Sequence, residues 1–250
     1  MDSAKTGWSV PNELASRNRA FYDALWSSAR LHQPSEFNTW QVVAPLLPTS
    51  PLRLELGPGL RPRLPIAGTC FVDVSPAAAR RLHAGAGLPL TGNMCALPFP
   101  DETFDLVAAC DVIEHVADDR AAFGEVSRVL KDDGVLLLAV PLHGHLWTEF
   151  DGWVGHARRY APAELLNLLA EHHLGLQQSA SYGMQPGNTR WLRWGMWFLE
   201  HQRAWAMFWY NWVGMPLAMV RQPQLQFVNG LAADPEAAEL FLVCRRQRRT

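Results

Sequence analysis

Residues 52–65 read LRLELGPGLRPRLP. An apolar run meets two glycines one residue apart, and basic residues and prolines follow. RLELG, residues 53–57, suits a short buried strand. Gly57 and Gly59 suit the sharp turn that ends such a strand and lets a ligand approach the backbone. Glu55 lies inside the strand, where an ordinary buried strand carries no charge. An acid there can anchor the turn and face a cation; a structural salt bridge is the plainer alternative.

Outward from this turn, strand and helix patterns alternate. TCFVDVS (69–75) reads as a second strand. Ser75 and Pro76 then cap and open a helix that ends near Gly85. LPLTGNM (88–94) reads as a short strand with its exit loop, and TFDLVAAC (103–110) as a fully buried one. Residues 118–130 form an amphipathic helix pattern with Phe123, Val126 and Leu130 on one face. DDG turns the chain into the buried strand VLLLAVP (135–141). Residues 161–173 read as a helix, 238–246 as a closing strand, and 12–47 as helices, with Phe21, Leu25 and Trp26 on one face. Short connections between buried, unalternating strands predict an α/β fold whose mostly parallel sheet has helices on both faces.

The chain has 250 residues, 48% of them hydrophobic, and a net charge of -2. That suits one domain and gives no electrostatic case for nucleic acid as a partner. Arg245, Arg246, Arg248 and Arg249 read as a solvated, frayed end. Cys70, Cys95, Cys110 and Cys244 form no CxxC and read as free thiols of a reducing cytoplasm. The first twenty residues lack an apolar signal core, so secretion is not expected.

Two ligands use a glycine turn of this kind. The dinucleotide fingerprint needs GxGxxG, and here Gly57 and Gly59 are followed by Pro62, which disfavours NAD. Asp73 ends the second strand, where a carboxylate can accept both hydroxyls of a ribose or merely cap the next helix. Taken in order, E55-x-G57-x-G59, VDVSP, LPFPDETFDLV, DVIEHV and RVLKDDGVLLLAVP resemble the class I S-adenosylmethionine-dependent methyltransferases, of the type that includes ubiquinone- and menaquinone-biosynthesis enzymes. The resemblance covers residues 50–180. It implies a Rossmann-like fold with a mostly parallel seven-stranded sheet, and S-adenosylmethionine as cofactor, released as S-adenosylhomocysteine.

The resemblance also implies site residues. Gly57, Pro58 and Gly59 let the backbone lie against the cofactor's methionine part, and Glu55 supports that loop and the ammonium end. Asp73 holds the ribose, Val74 packs on adenine and Met94 flanks the ring. Asn93 stands where the family usually has aspartate reading the adenine amino group; a bare turn role is the alternative. Cys110, Asp111 and Val112 line the methionine side. Arg61 replaces the family's third glycine.

On the acceptor side, His115 follows the fourth strand, and His143 and His145 follow the fifth. A cluster of His156, Arg158, Arg159 and Tyr160 precedes a helix, in a segment similar to the family's GHxRRY. His156, Tyr160 and His115 are the candidate catalytic groups, and His143 and Arg159 candidate acceptor contacts. Arg159 and Tyr160 could equally only dock the loop. No metal-ligand spacing appears, and no metal is expected.

Eleven tryptophans are present, six of them within residues 191–212. Residues 204–220 carry no charge, which is at the lower limit for a membrane span. Asn211, Gly214 and Pro216 interrupt the run, and a span would strand the final strand on the wrong side. Three uses stay open for this helical insertion before the last strand: a lid with Trp205 and Trp209 against a hydrophobic acceptor, a dimer interface or core filler, or a peripheral membrane contact. The chain divides into an N-terminal helical lid (1–48), a cofactor-binding core (49–180), the Trp-rich insertion (181–236) and the final strand with its basic tail (237–250). Methyl transfer to a small hydrophobic or aromatic acceptor is the expected function. A binding module without turnover, or action on a lipid-linked acceptor, is the alternative.

Overall fold

The computed structural model describes residues 12–183, 189–232 and 237–248. Helix α1 (Asn12–Ser28) and the short helix α2 (Trp40–Leu46) precede β1 (Arg53–Leu56), the strand of the opening glycine turn. There follow β2 (Thr69–Asp73), α3 (Pro76–Ala84), β3 (Leu88–Thr91), β4 (Phe104–Cys110), α4 (Asp119–Val129), β5 (Leu130–Pro141), α5 (Glu149–Val154), α6 (Pro162–Glu171) and β6 (Leu174–Tyr182). The insertion holds α7 (Thr189–His201), α8 (Arg203–Trp209), a π-helical turn (Tyr210–Gly214) and α9 (Met215–Val220). Strands β7 (Val228–Asn229) and β8 (Glu239–Arg246) close the chain.

The sheet order is β3-β2-β1-β4-β5-β8-β6-β7. Strands β1 to β5 are mutually parallel, and β8 runs antiparallel between β5 and β6. The sheet has eight strands rather than the seven expected, because Val228 and Asn229 pair with Ser179 and Gln178 beyond the edge that β6 would otherwise form.

Alternate residues of the central strands feed two cores. Leu54, Leu56, Val107, Leu136 and Leu138 pack with Phe123 and Val126 of α4 and Leu165 and Leu169 of α6. Leu106, Ala108, Leu137 and Phe241 face the other way, toward Val43 of α2 and Leu225. Burial on both faces explains why these strands read as unbroken apolar runs.

Three local expectations change. The DDG stretch is no turn between elements: Leu130 pairs with Phe104 and Val135 with Leu106, so Lys131 to Gly134 bulge within β5, with Asp133 at φ 61°. The basic tail is not wholly frayed: Arg246 is buried on the Leu130 carbonyl and the Glu102 carboxylate, and Arg245 bonds the Asp133 carbonyl. The polar strand β6 and the helix α5 carry no strong apolar pattern, and the sequence reading passes over both. Ser75 caps α3 as its position indicates, accepting from the Ala78 amide with Pro76 in the first turn.

Candidate active site

The carboxyl ends of β1, β2 and β4 hold the candidate cofactor residues. Glu55 is fully buried and accepts the Arg63 and Leu64 amides at 2.8 and 2.9 Å. It ties down the far end of the 57–64 loop, and burial pushes its carboxyl up to about 7. Gly57 and Gly59 have φ of 58° and 55°. A Cβ at Gly57 would come within 2.2 Å of Val112, and one at Gly59 within 2.3 Å of the Trp26 ring. Both turns therefore require glycine.

Asp73 is buried, and its two oxygens accept the Gly59 and Ser75 amides at 2.9 and 2.8 Å. It joins the glycine loop to the end of β2. Helix capping is left to Ser75. Val74 stands exposed beside it, whereas Met94 is buried. Asn93 is exposed, and its Oδ1 accepts the Cys95 amide at 3.0 Å, a turn bond. Pro58 is buried within the loop, and half-buried Cys110 ends β4. Next to Cys110, Asp111 adopts φ 53°, a left-handed conformation seldom used outside glycine and concentrated at functional sites.

Asp111 Oδ1 and Glu114 Oε2 are buried with no hydrogen-bond partner among the described residues. Burial raises both carboxyls above their ordinary range, Glu114 far above, and the Asp111 charge adds to the rise at Glu114. Burial and the Asp111 charge push Glu239, at the start of β8, up to about 8. The Arg63 guanidinium, buried on the Tyr182 hydroxyl at 2.8 Å, and the Arg61 charge act on Asp111 from the loop. Asp111 and Glu114, each with one buried oxygen unpartnered among the described residues, stand beside the Arg61 and Arg63 guanidinium groups, a donor set that fits an amino-acid zwitterion and a sulfonium.

The acceptor side centres on two histidines. The rings of His115 and His156 meet edge to face, 4.6 Å apart. His115 donates from Nδ1 to the Gly155 carbonyl at 3.2 Å and accepts the Tyr22 hydroxyl at Nε2, also at 3.2 Å. Burial and the neighbouring His156 lower its pKa to about 3, so it is neutral. His156 Nδ1 lies 2.9 Å from Asp151 Oδ1, and its Nε2 lies 3.8 Å from Glu114 Oε1. Asp151 is held below the usual carboxylate range: burial opposes this, but bonds from His156, Arg159 and Thr148 outweigh it. An ionised Asp151 fixes the proton on Nδ1 and leaves the Nε2 lone pair facing the cluster. Glu114, His115 and His156 each bring one ligand-type atom within 4.8 Å of the others, a spacing that could hold a metal ion.

Helix α1 covers this cluster. Asn18, Tyr22 and Trp26 follow one another at four-residue spacing and so share a face. Asn18 donates to the Gly155 carbonyl at 3.0 Å, Tyr22 meets His115, and Trp26 lies over Gly59. Asp23 accepts the Ser75 hydroxyl and Ala77 amide, fastening α1 to α3. The sequence reading passes over Asn18, Tyr22, Arg63, Asp151 and Glu239. The four-residue spacing in α1 could have revealed the first two.

Other expectations meet a different placement. Tyr160 is fully buried in the core, with its hydroxyl donating to Asp119 at 3.0 Å, so it does not face an acceptor. Arg159 is buried in a two-point pair with Asp151 and donates to the Leu142 and Ala238 carbonyls; it holds Asp151 rather than an acceptor. Arg158 pairs with Asp119 and bonds the Val116 and Ala117 carbonyls. His143, at φ 59°, follows β5, its ring 5.3 Å from that of His145. Trp205 and Trp209 are 61% and 51% exposed and face outward, so the cover over the histidines is α1 and not these rings.

Residues 60–138 match the methyltransferase domain family Methyltransf_11. The chain is 26% identical over 153 residues to a ubiquinone biosynthesis O-methyltransferase of Bradyrhizobium sp., covering 50% of this chain and 57% of that protein. It is 42% identical over 50 residues to a probable S-adenosylmethionine-dependent methyltransferase of Mycolicibacterium smegmatis, covering 20% of each. It thus spans less than two thirds of the length of either relative. The fold is similar to that of a solved S-adenosylmethionine-dependent methyltransferase of Thermotoga maritima, described as a possible histamine N-methyltransferase, with TM-score 0.60 and 17% identity over 95% of this chain and all of that one.

Over residues 60–138 the chain matches a methyltransferase domain, and its fold is the Rossmann-like fold of solved S-adenosylmethionine-dependent methyltransferases. The methyl donor named for the Mycolicibacterium smegmatis relative and for the Thermotoga maritima structure is S-adenosylmethionine.

Proposed function

We propose that this protein transfers the methyl group of S-adenosylmethionine to a nucleophilic oxygen or nitrogen of a small acceptor, bound between His156, Glu114 and helix α1. The observation that carries the reading is the His156 side chain. It is nearly buried, held by Asp151, and turns its Nε2 toward the buried carboxyl of Glu114.

The cofactor supplies an activated methyl group on a sulfonium. Asp73, the 57–59 loop and Met94 would hold its nucleoside end, and Asp111 with Arg61 and Arg63 its amino-acid end. Asp151 keeps the His156 proton on Nδ1. Nε2 can then take the proton that the acceptor loses as its oxygen or nitrogen bonds to the methyl carbon and the carbon–sulfur bond breaks. Tyr22 and Trp26 exclude water and hold the reactants in line.

The test is release of S-adenosylhomocysteine with a panel of small phenols and amines. His156→Ala should slow turnover by about 10²–10⁴-fold, the usual worth of a general base, while S-adenosylhomocysteine affinity stays near that of wild type. Normal turnover in His156→Ala would overturn the base assignment.

A further inference from the structure

The insertion contains a helix whose apolar side faces the wrong way for a water-soluble surface. Residues 203–220 run through α8, the π-helical turn and α9, with helical backbone at Trp209, Tyr210, Gly214 and Met215. At 1.5 Å per residue this run is about 27 Å long. Its inward stripe is Met207, Asn211 and Met215. Met207 packs with Trp26, Leu60 and Ala78. Asn211 accepts the Arg30 amide and donates to the Ser28 carbonyl, pinning the helix flat against the end of α1.

The outward stripe is apolar. Trp205, Phe208, Trp209, Trp212, Leu217 and Val220 are all exposed, Trp212 to 59% and Val220 to 86%. Trp194 and Trp197 of α7 add two more exposed rings. No charged residue occurs from Ala204 to Val220. A patch of this kind marks an interaction surface.

The charges around it choose the occupant. Arg203 and Arg221 stand at the two ends of the helix, and Arg30 lies over the Trp212 ring at 4.5 Å. Between Arg193 and Arg221 the only acid is Glu200, which accepts the Trp153 indole N–H. A second copy meeting this face about a two-fold axis would bring arginine against arginine, with no acid within residues 203–221 to match. An anionic bilayer surface supplies the opposite charge. Tryptophan favours the headgroup level, where its ring is buried and its N–H stays wet. Among the described residues no helix is long and apolar enough to cross a membrane.

We propose that the α8–α9 helix lies in the plane of an anionic membrane, with its tryptophan stripe in the headgroup–acyl boundary and Arg203, Arg221 and Arg30 on the headgroups. This goes beyond methyl transfer and is read without turnover.

The full chain is floated with vesicles of phosphatidylcholine containing 30% phosphatidylglycerol, and with vesicles of phosphatidylcholine alone. Binding is expected to the anionic vesicles with a blue shift of tryptophan emission, and to fall at least about tenfold on the neutral ones. The triple change Phe208→Ser, Trp212→Ser, Leu217→Ser and, separately, the pair Arg203→Glu, Arg221→Glu should each reduce anionic-vesicle binding by about tenfold or more. Circular dichroism of each variant checks its fold. If one variant fails to fold, the other decides. Wild-type protein that stays unbound would overturn the proposal. So would a wild-type dimer in sedimentation that ignores vesicles and that the triple change converts to monomer.

Discussion

At the scale of single residues, the account rests on which ring nitrogen is free. His115 has both nitrogens engaged and is held neutral, so it positions Tyr22 and the Gly155 turn rather than moving protons. His156 has one nitrogen on Asp151 and the other facing Glu114. The same three side chains, Glu114, His115 and His156, have metal-binding spacing. The two uses of His156 Nε2 exclude each other, and a chelator separates them. With His156 as base, prolonged treatment with EDTA followed by gel filtration should leave methyl transfer unchanged. Loss of activity that zinc or magnesium restores would instead assign the cluster to a cation. Tyr160 teaches the opposite lesson: a tyrosine beside a polar loop reads as catalytic in sequence, yet it bridges to Leu142 in the core.

At the scale of elements, β1, the start of β8 and the turn after β4 concentrate buried acids at the carboxyl edge of the parallel strands. Glu55 and Glu239 have carboxyls at about 7 and about 8 against an ordinary value of 4.5, and Asp111 and Glu114 are raised as well. Such groups hold protons in the folded state that the unfolded chain has released. Their contribution to stability is complete below the ordinary carboxyl range and is lost as pH rises through the folded values. His115 acts with the opposite sign, but only between about 3 and 6.5. The ligand-free protein should therefore lose thermal stability from pH 6.5 to 8, and Glu239→Gln should flatten the slope. A melting temperature that holds or rises across this window would contradict the placement of these acids. The alternation of buried strands and helices was legible because two-sided burial leaves unbroken apolar runs in β4 and β5. Strand β6, LGLQQSASY, was not legible, because its polar residues pair at the sheet's edge region with β7 and β8 rather than fill a core. The tight loop after β1 was legible through Gly57, Gly59 and Asp73, which lie close in sequence. Asn18, Tyr22 and Asp151 join His115 and His156 only through folding, and one sequence carries no record of such distant contacts.

At the scale of the whole molecule, the two ends of the chain enclose the middle. Helix α1 seals the carboxyl edge of the sheet with Asn18, Tyr22 and Trp26, and the insertion braces α1 from outside through Met207 and Asn211. Trp205 and Trp209, for which an acceptor lid is one of three readings open in sequence, are exposed on the outer side of the insertion, away from His115 and His156. The cofactor domain beneath can be tested without knowing the acceptor. Titration calorimetry of S-adenosylmethionine and of NAD, into wild type and Asp73→Asn, asks the question directly. The account predicts a micromolar dissociation constant for S-adenosylmethionine, about -8 kcal/mol, and no heat with NAD. It predicts a loss of about 1.5–3 kcal/mol in Asp73→Asn, the worth of hydrogen bonds to a charged group. Binding of NAD, or S-adenosylmethionine affinity unchanged by the loss of the Asp73 charge, would contradict it.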